Sequence, residues 1–195
     1  MRTVELALAT AEELDVAPVI QVSPAEAHLM LDEALEARGM TWSGPSLVLA
    51  GEVRSVAVGE ATVAVGLGEL TPEWVEAWSS VSGIGGAAET AEAVLSQLGG
   101  RARFAIARDA TSGEAVGTAV GVVEDGWLGL FSLAVLPARR RDGIGAAIVD
   151  ALQAWSAAVG ARRIYLQVEA DNDIALAFYA RRGFHIAHSY HYRSE

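Results

Sequence analysis

The sequence predicts a mixed α/β fold in which helices flank a mostly antiparallel central sheet. The first observation is an antiparallel meander of three apolar strands at residues 103–108, 115–123 and 127–135, joined by turn signals at 109–113 and 124–126. The second is a finish in which strands and helices alternate, so that the helices pack on the faces of the sheet.

The elements before the meander also alternate: strands 19–22 and 41–50 around a helix 24–38, a hairpin or one long strand at 53–67, and short helices at 72–80 and 89–98. Pro24 just inside the first helix and Gly39 just past it are typical start and stop residues. The segment 53–67 is β-branched and alternating, with breaks at its two glycines. A glycine-rich loop at 82–86 separates the two short helices.

The elements after the meander are helix 146–159, strand 164–168, helix 174–182 and strand 184–192. Residues 19–40 are similar to residues 165–184, because both segments are predicted to form a strand that contains Gln-Val and then a helix that ends in Arg-Gly. The offsets of 146 and 144 residues predict a degenerate half-copy, with coincidence of common helix endings as the alternative. Only the second copy carries the aromatic pair Phe178-Tyr179, so we assign the chemistry to it.

Composition bounds the class of protein. A hydrophobic content of 52% over 195 residues is ample for a core, and the absence of cysteine excludes disulfides, thiolate metal sites and a cysteine nucleophile. No apolar run reaches the ~20 residues of a membrane helix, so we expect a soluble cytoplasmic protein without a membrane partner. Three histidines, His185, His188 and His191, recur every third residue along a strand, which predicts scattered polar positions and no metal site.

The charge is unevenly divided along the chain. The net charge is −11, which argues against a nucleic-acid partner. Residues 1–138 carry 6 Arg against 19 acidic residues, a net charge of −13, whereas residues 139–195 carry 8 Arg against 6, a net charge of +2. The basic surplus suits a small anionic ligand, with solvated surface arginines as the alternative. The chain has no lysine, which hints at a GC-rich bacterial genome.

The most informative segment is the turn at residues 140–146. It follows an apolar strand and opens a helix, and this order builds an anion site. Glycine lets a backbone approach a phosphate closely, and the helix start presents unpaired N–H groups at the positive end of its dipole. A bare glycine pair that only caps or packs the helix is the alternative. Arg139, Arg140 and Arg141 favour the phosphate, because they supply positive charge there.

The spacing of this turn excludes two better-known phosphate loops. A P-loop needs a lysine, and the chain has none. A dinucleotide fingerprint needs a third glycine, and Ile148 occupies that position. What remains is Arg-x-x-Gly-x-Gly behind a strand.

Four features in order make residues 69–193 resemble the GCN5-related N-acetyltransferase (GNAT) superfamily. They are the strand 131–135, the Arg-x-x-Gly-x-Gly turn at 140–145, Leu-Gln-Val-Glu-Ala-Asp-Asn at 166–172, and the helix 175–184 with its Phe-Tyr pair. The resemblance implies a GNAT-like sheet, with residues 1–68 as a degenerate half-domain and residues 69–195 as the acetyl-CoA-binding domain.

The same resemblance implies acetyl-CoA as cofactor and an amine as acceptor. The strand before the turn would splay from its neighbour and pair with the pantetheine arm, and the turn would hold the pyrophosphate. Asn172 would lie beside the cofactor and Tyr179 near the thioester sulfur. The cofactor-binding positions are Leu133, Ala134, Val135, Arg140, Arg141, Asp142, Gly143, Ile144, Gly145, Ala146 and Asn172.

The chemistry of acetyl transfer supports some of these roles. A backbone N–H near Val135 can polarise the thioester carbonyl. We expect Tyr179 to protonate the departing thiolate, with a core aromatic as the alternative. The resemblance is nearest to the branch that acetylates protein N-termini, ribosomal-protein alanine acetyltransferases included, whose members often have a glutamate where this chain has Gln167. Glu169 lies on the same strand face and is a candidate base; a solvated carboxylate, with solvent taking the proton, is the alternative.

The predicted function is therefore an N-acetyltransferase that acts on a primary amine, either a small molecule or a protein N-terminus. A catalytically weak acyl-CoA-binding or sensor module is the alternative from another class, and a structural subunit is a third. The acidic first part would attract a cationic acceptor or merely keep the protein soluble. Four tryptophans could line an acceptor cleft or lie in the core: Trp42, Trp74, Trp78 and Trp127. If the protein forms an assembly, we expect a homodimer.

Overall fold

The computed structural model describes residues 2–54, 63–83 and 88–195, with the backbone alone at 2, 3, 88 and 89. The predicted hairpin at 53–67 and the glycine-rich loop at 82–86 therefore lie partly outside the described residues. The chain divides into two compact units, one formed by Met1–Ala50 with Gln167–Glu195 and the other by Gly51–Leu166. The boundary expected between residues 68 and 69 stays a prediction.

The described residues form helices and strands in alternation, and the mixed α/β class is confirmed. The helices are α1 Arg2–Glu13, α2 Leu29–Glu36, α3 Pro72–Ser82, α4 Ala88–Leu95, α5 Ile144–Ala158 and α6 Asp173–Arg181. The strands are β1 Val19–Val22, β2 Thr41–Glu52, β3 Val63–Gly68, β4 Ala102–Asp109, β5 Ala115–Glu124, β6 Trp127–Val135, β7 Arg163–Glu169 and β8 His185–Ser194. Among the described residues, no helix combines the length and apolar character that a bilayer crossing requires.

In the Gly51–Leu166 unit, the predicted meander is present and β5 lies at its centre. Strands β3, β4, β5 and β6 pair in antiparallel order, and residues 163–166 of β7 pair in parallel with β6. Helix α3 covers one face, where Trp74 packs with Phe104 and Val120. Helix α5 covers the other face, where a Cβ at Gly117 or Gly121 would stand within 3.0 Å of an α5 side chain. The sheet of this unit therefore has helices on both faces.

In the other unit, the strand order is β1–β8–β2 and both pairs are antiparallel. Val4, Val22, Leu35 and Met40 form its core. Helix α1 was absent from the sequence-based prediction, although Val4, Leu8 and Ala11 repeat at helical spacing toward that core.

The helix predicted at 24–38 is wrong in its first half. Pro24 is extended, with ψ 140°, and residues Ala25–Ala27 form a short 3₁₀ turn. His28, with φ −122° and ψ 33°, separates that turn from α2. The rigid start at Pro24 thus opens a turn, and the regular helix begins five residues later at Leu29.

The segments β1–α2–β2 and β7–α6–β8 end their helices in the same way. Gly39 and Gly183 both adopt the left-handed conformation, with φ 83° and 84°. After α2 the N–H of Met40 donates to the carbonyl of Leu35 at 3.2 Å, and after α6 the N–H of Phe184 donates to the carbonyl of Tyr179 at 3.1 Å. This is the glycine-dependent helix ending in both cases. Leu35 and Tyr179 occupy equivalent, buried positions.

Buried charge ties α2 to β8. Asp32 accepts hydrogen bonds from Arg193 Nε at 2.7 Å and Nη2 at 3.0 Å, and its Oδ1 lies 2.7 Å from His191 Nε2. The hydrogen bond from Arg193 lowers the pKa of Asp32 to about 2. Because Arg193 and His191 are buried, this carboxylate offsets the cost of burying them.

Candidate active site

The first part of the candidate site is the half-buried C-terminal end of strand β6. In the pairing that the described residues show, β7 contacts β6 only from Trp127 to Leu130. Strand β6 continues to Val135 along β5, where Ala134 lies opposite Thr118. Ser132, at φ 53°, marks an irregularity in that register. In the last third of β6, the backbone edge on the β7 side thus extends beyond the residues that pair with β7.

The hydrogen-bond direction shows which groups line that edge. The N–H of Leu136 donates to the carbonyl of Val116 at 3.0 Å, so it points toward β5. Backbone groups alternate along a strand, and those of Leu133 and Val135 therefore point away from β5. The carbonyl of Val135 accepts a hydrogen bond of 3.4 Å from Arg140 Nε, which fits this direction. Two N–H donors and two carbonyl acceptors are presented there.

The glycine turn leads from this edge into helix α5. Residues Pro137–Arg139 form a 3₁₀ turn, Arg141 and Gly143 have φ of 75° and 80°, and the helix begins at Ile144. The helix thus starts two residues before the predicted 146. No side chain caps Gly143, and among the described residues, its two chain neighbours aside, nothing lies within 4 Å of where its Cβ would stand.

The first N–H groups of α5 form the second part of the site. The first bond of the helix is from the N–H of Ala147 to the carbonyl of Gly143 at 3.0 Å. The N–H groups of Ile144, Gly145 and Ala146 precede it and have no acceptor inside the helix. The positive end of the dipole of a 15-residue helix lies at the same point. These groups suit an anion with several oxygens.

The three arginines of the turn do not act alike. Arg139 donates from Nη1 to Asp109 at 2.6 Å and from Nε to Asp142 at 3.0 Å, so two carboxylates surround it. The hydrogen bond to Asp142 makes the largest contribution to raising the pKa of Arg139, and the hydrogen bond to Asp109 makes the next largest. The prediction that all three arginines supply charge to a phosphate is thus not met by the geometry at Arg139. Arg140 and Arg141 are exposed.

Asp109 is a residue that the sequence analysis treated only as part of a turn signal. The N–H groups of Ser112 and Thr111 and the guanidinium of Arg139 hold its pKa at about 2. The signal that could have found it is topological. In an antiparallel meander the β4–β5 connection lies at the same end of the sheet as the end of β6.

The remaining predicted site residues lie in the other unit, with Glu169 and Asn172 just before α6 and Tyr179 in its last turn. Asn172 caps that helix, since its Oδ1 accepts from the N–H of Ala175 at 3.0 Å. The N–H of Asn172 donates to the carbonyl of Glu169 at 3.1 Å, which brings these two residues together. Gln167 and Glu169 are exposed and alternate with buried residues, as the strand period predicts.

Tyr179 is packed among aromatic rings. It is 7% exposed, and its ring centroid lies 4.9 Å from that of Phe178 and 5.3 Å from that of Phe184. Burial raises the pKa of Tyr179 to about 12. The hydroxyl therefore keeps its proton at neutral pH and can donate a hydrogen bond. The packing expected of a core aromatic is also present.

The tryptophans and histidines divide between core and surface. Trp74 is buried, donates from Nε1 to the carbonyl of Ala105 at 3.0 Å, and stacks on Trp78 with centroids 6.1 Å apart. Trp42 is half exposed beside His191. No group of three or more potential metal ligands occurs in the part of the chain that the structure describes.

The sequence matches a known family model over most of its C-terminal part. The acetyltransferase (GNAT) family matches residues 69–184, which is more than half of the chain. The Bacillus subtilis (strain 168) protein YobR, an uncharacterized N-acetyltransferase, is 36% identical over 78 residues. These residues are 39% of this chain and 32% of that protein. The chain thus spans about a third of the curated relative that it matches.

Solved structures show the same fold. A GCN5-related N-acetyltransferase from Kribbella flavida has a TM-score of 0.69 at 21% identity, with 98% of this chain and 73% of that chain covered. AAC(6′)-Iy, in complex with the bisubstrate analogue CoA-S-monomethyl-acetylneamine, has a TM-score of 0.52 at 19% identity, with 63% of this chain and 91% of that chain covered. At these identities the similarity is one of fold.

Proposed function

The chain belongs to the acetyltransferase (GNAT) family, and from that premise we propose that it transfers the acetyl group of acetyl-CoA to a primary amine. One observation carries the proposal: the end of β6 that continues beyond its pairing with β7 leads through the glycine turn to the N-terminus of α5, which no side chain caps. A ligand with an extended chain of amide groups and then a polyphosphate would meet these two features in that order. Acetyl-CoA has this chemistry, and AAC(6′)-Iy is a fold relative that binds a CoA analogue.

The residues present fit the phosphate end of such a cofactor. Among the described residues nothing fills the space where a Cβ of Gly143 would stand, and the N–H groups of Ile144, Gly145 and Ala146 at the start of α5 have no acceptor inside the helix. Arg140 and Arg141 add exposed positive charge. The position of Asp142 in the turn is compatible with an anion because Arg139 pairs with its carboxylate.

The strand end fits the pantetheine arm. The N–H and carbonyl groups of Leu133 and Val135 can pair with the amides of that arm as a neighbouring strand would. Ala134 lies opposite Thr118 on β5. The bound cofactor supplies an activated acetyl thioester. A backbone N–H near Val135 that the amides of the arm do not engage is the donor that we assign to polarising the acetyl carbonyl.

We also propose roles for Asn172 and Tyr179. We assign Asn172, whose Oδ1 caps α6, to the position beside the cofactor that the family resemblance implies. We assign Tyr179 to donating a hydrogen bond, and then the proton, to the leaving sulfur. Its pKa of about 12 makes it a weaker acid than an ordinary thiol, whose pKa is about 8.5. The proton transfer therefore depends on close positioning and on the hydroxyl regaining a proton from solvent.

The attacking amine has to lose its proton, and the chain offers one carboxylate for this on the strand that carries Gln167. Glu169 stands two residues further on the same exposed face. Glutamine cannot accept a proton, so Glu169, acting through water, is the proposed base. The acidic residues of the first 138 positions, with a net charge of −13, favour a cationic acceptor. Small amines and protein N-termini are both acceptors of this kind.

Titration of the purified chain with acetyl-CoA in a calorimeter tests the cofactor. Detection of free thiol across a panel of small amines and N-terminal peptides tests the transfer. Binding together with thiol release is the expected result. Binding without thiol release from any acceptor supports the second candidate, an acyl-CoA-binding module, which the presence of Gln167 favours. No binding of acetyl-CoA contradicts both.

A further inference from the structure

We propose that Arg139 is a positioning residue that braces the glycine turn against the β4–β5 connection, and that it is not itself a phosphate ligand. The inference rests on the proposed function, because the turn it braces is the proposed pyrophosphate site. It corrects the simplest interpretation of three consecutive arginines, in which all three contact the anion.

The anchor of the brace is Asp109 at the end of β4. Its Oδ1 accepts hydrogen bonds from the N–H of Thr111 at 2.8 Å and from that of Ser112 at 2.9 Å. Its Oδ2 accepts from Arg139 Nη1 at 2.6 Å. Both oxygens are thus used, and the side chain is only 19% exposed. The backbone of its own turn thus holds the Asp109 carboxylate in place for the hydrogen bond with Arg139.

The other end of the brace is the glycine turn itself. Arg139 Nε donates to Asp142 Oδ2 at 3.0 Å, and the Arg139 side chain is 28% exposed. Arg141, between these two residues, adopts a φ of 75°, a left-handed conformation that disfavours residues other than glycine. The ion pair across it therefore holds a backbone shape that the sequence alone would not favour.

The charges around Arg139 also favour a positioning role over phosphate binding. One guanidinium faces two carboxylates, so the group as a whole adds no positive charge to the turn. If Arg139 turned to a phosphate, Asp109 and Asp142 would lose their partner and repel the anion. The anion is better served by Arg140, Arg141 and the N–H groups of α5, with Arg139 left in place.

The two interpretations predict opposite signs for Asp109→Asn. The asparagine oxygen can still accept from Thr111 and Ser112, but its amide cannot pair with Arg139. If Arg139 is a brace, the affinity for CoA falls about tenfold, as expected for a lost charged hydrogen bond that shapes the site. If Arg139 is a phosphate ligand, removal of a competing carboxylate tightens CoA binding.

The experiment is a calorimetric titration of the full chain with CoA at two salt concentrations. The brace predicts that Asp109→Asn and Arg139→Gln each weaken binding about tenfold, that the double variant is no weaker than either, and that the salt dependence is unchanged. Glu114→Gln is the matched control, because it removes one charge from the same connection without touching Arg139. We expect its dissociation constant within about twofold of wild type.

Arg139→Lys keeps the proposal testable if the larger changes impair folding, which thermal unfolding would show. Lysine keeps the charge but cannot span two carboxylates with a planar fork, so the brace predicts weaker binding. Near-normal binding by Arg139→Lys, tighter binding by Asp109→Asn, or a smaller salt dependence in Arg139→Gln would overturn the inference while the wild type still binds CoA. A wild type that binds no CoA would overturn the proposed function and this inference with it.

Discussion

The segments β1–α2–β2 and β7–α6–β8 follow the same plan but differ at one buried position. Both helices end at a left-handed glycine, and in both the N–H of the residue after the glycine donates to the backbone carbonyl of a residue whose side chain is buried. That position is Leu35 in the first segment and Tyr179 in the second. An apolar side chain therefore satisfies the packing at this place in the fold. The hydroxyl of Tyr179 is an addition that packing does not require, which favours a role in chemistry.

The two helices also begin differently. Asn172 caps α6 through the N–H of Ala175, whereas α2 begins after His28 with no side-chain cap. Helix α2 is held instead by Asp32, which bonds Arg193 of β8. In the first segment the polar side chain thus serves to attach the helix to a neighbouring strand. The second keeps a well-defined helix start beside Glu169, where the proposed chemistry needs one.

The largest effect on stability is expected for Leu35→Ala. Leu35 is fully buried with Val22 and Met40, so the change leaves a cavity and lowers the free energy of unfolding by about 2–5 kcal/mol. Chemical denaturation measures this loss. Thiol release per folded molecule should stay at the wild-type value, and a selective loss of turnover at full stability would contradict a purely structural first segment.

A smaller effect is expected for Asp32→Asn, which removes the carboxylate that hydrogen-bonds the buried Arg193 and leaves it only the longer ion pair with Glu36 at 3.7 Å. The free energy of unfolding at neutral pH should fall by about 2 kcal/mol. The pKa of Asp32 is lowered from 3.8 to about 2, so its contribution is fully present above about pH 4. As the pH falls from about 4 toward 2, the carboxylate is protonated and wild type loses this advantage. Denaturation of both proteins across this range should show converging stabilities; a constant difference would refute the assignment.

The smallest effect on stability is expected for Tyr179→Phe. The rings of Phe178 and Phe184 remain in contact with the new side chain, so the free energy of unfolding should change by less than about 1 kcal/mol. The rate of thiol release should fall by about 10²–10⁴-fold, because the proposed proton donor is gone. Acetyl-CoA affinity is the control and should not change. Full turnover in this variant would remove Tyr179 from the chemistry.

Local sequence patterns predicted the elements that depend on local physics. The meander, the glycine turn and the exposed alternation of Gln167 and Glu169 follow from apolar period, turn residues and helix starts. Helix α1 has the same kind of signal at Val4 and Leu8 and was overlooked. The pairing of Arg139 with Asp109 could not be found this way, because the two residues are brought together by the topology of the meander and not by their spacing.

The break in the first predicted helix has a different origin. Pro24 is a common first helical residue, and the sequence gives no sign that His28 would leave helical geometry. The contacts of Asp32 with His191 and Arg193 join residues that are far apart in the chain. Long-range ion pairs of this kind select among local alternatives, and neither periodicity nor propensity contains that information.

Gly143→Ala, compared with Gly39→Ala, tests the central claim most directly. The two glycines have nearly equal φ, 80° and 83°, and both have open space where a Cβ would stand, so each change should cost about 1 kcal/mol of stability. Only Gly143 borders the proposed pyrophosphate site. Calorimetric titration with acetyl-CoA should show wild-type affinity for Gly39→Ala and at least tenfold weaker binding for Gly143→Ala. Equal affinity in the two variants, or no binding by the wild type, would contradict the account.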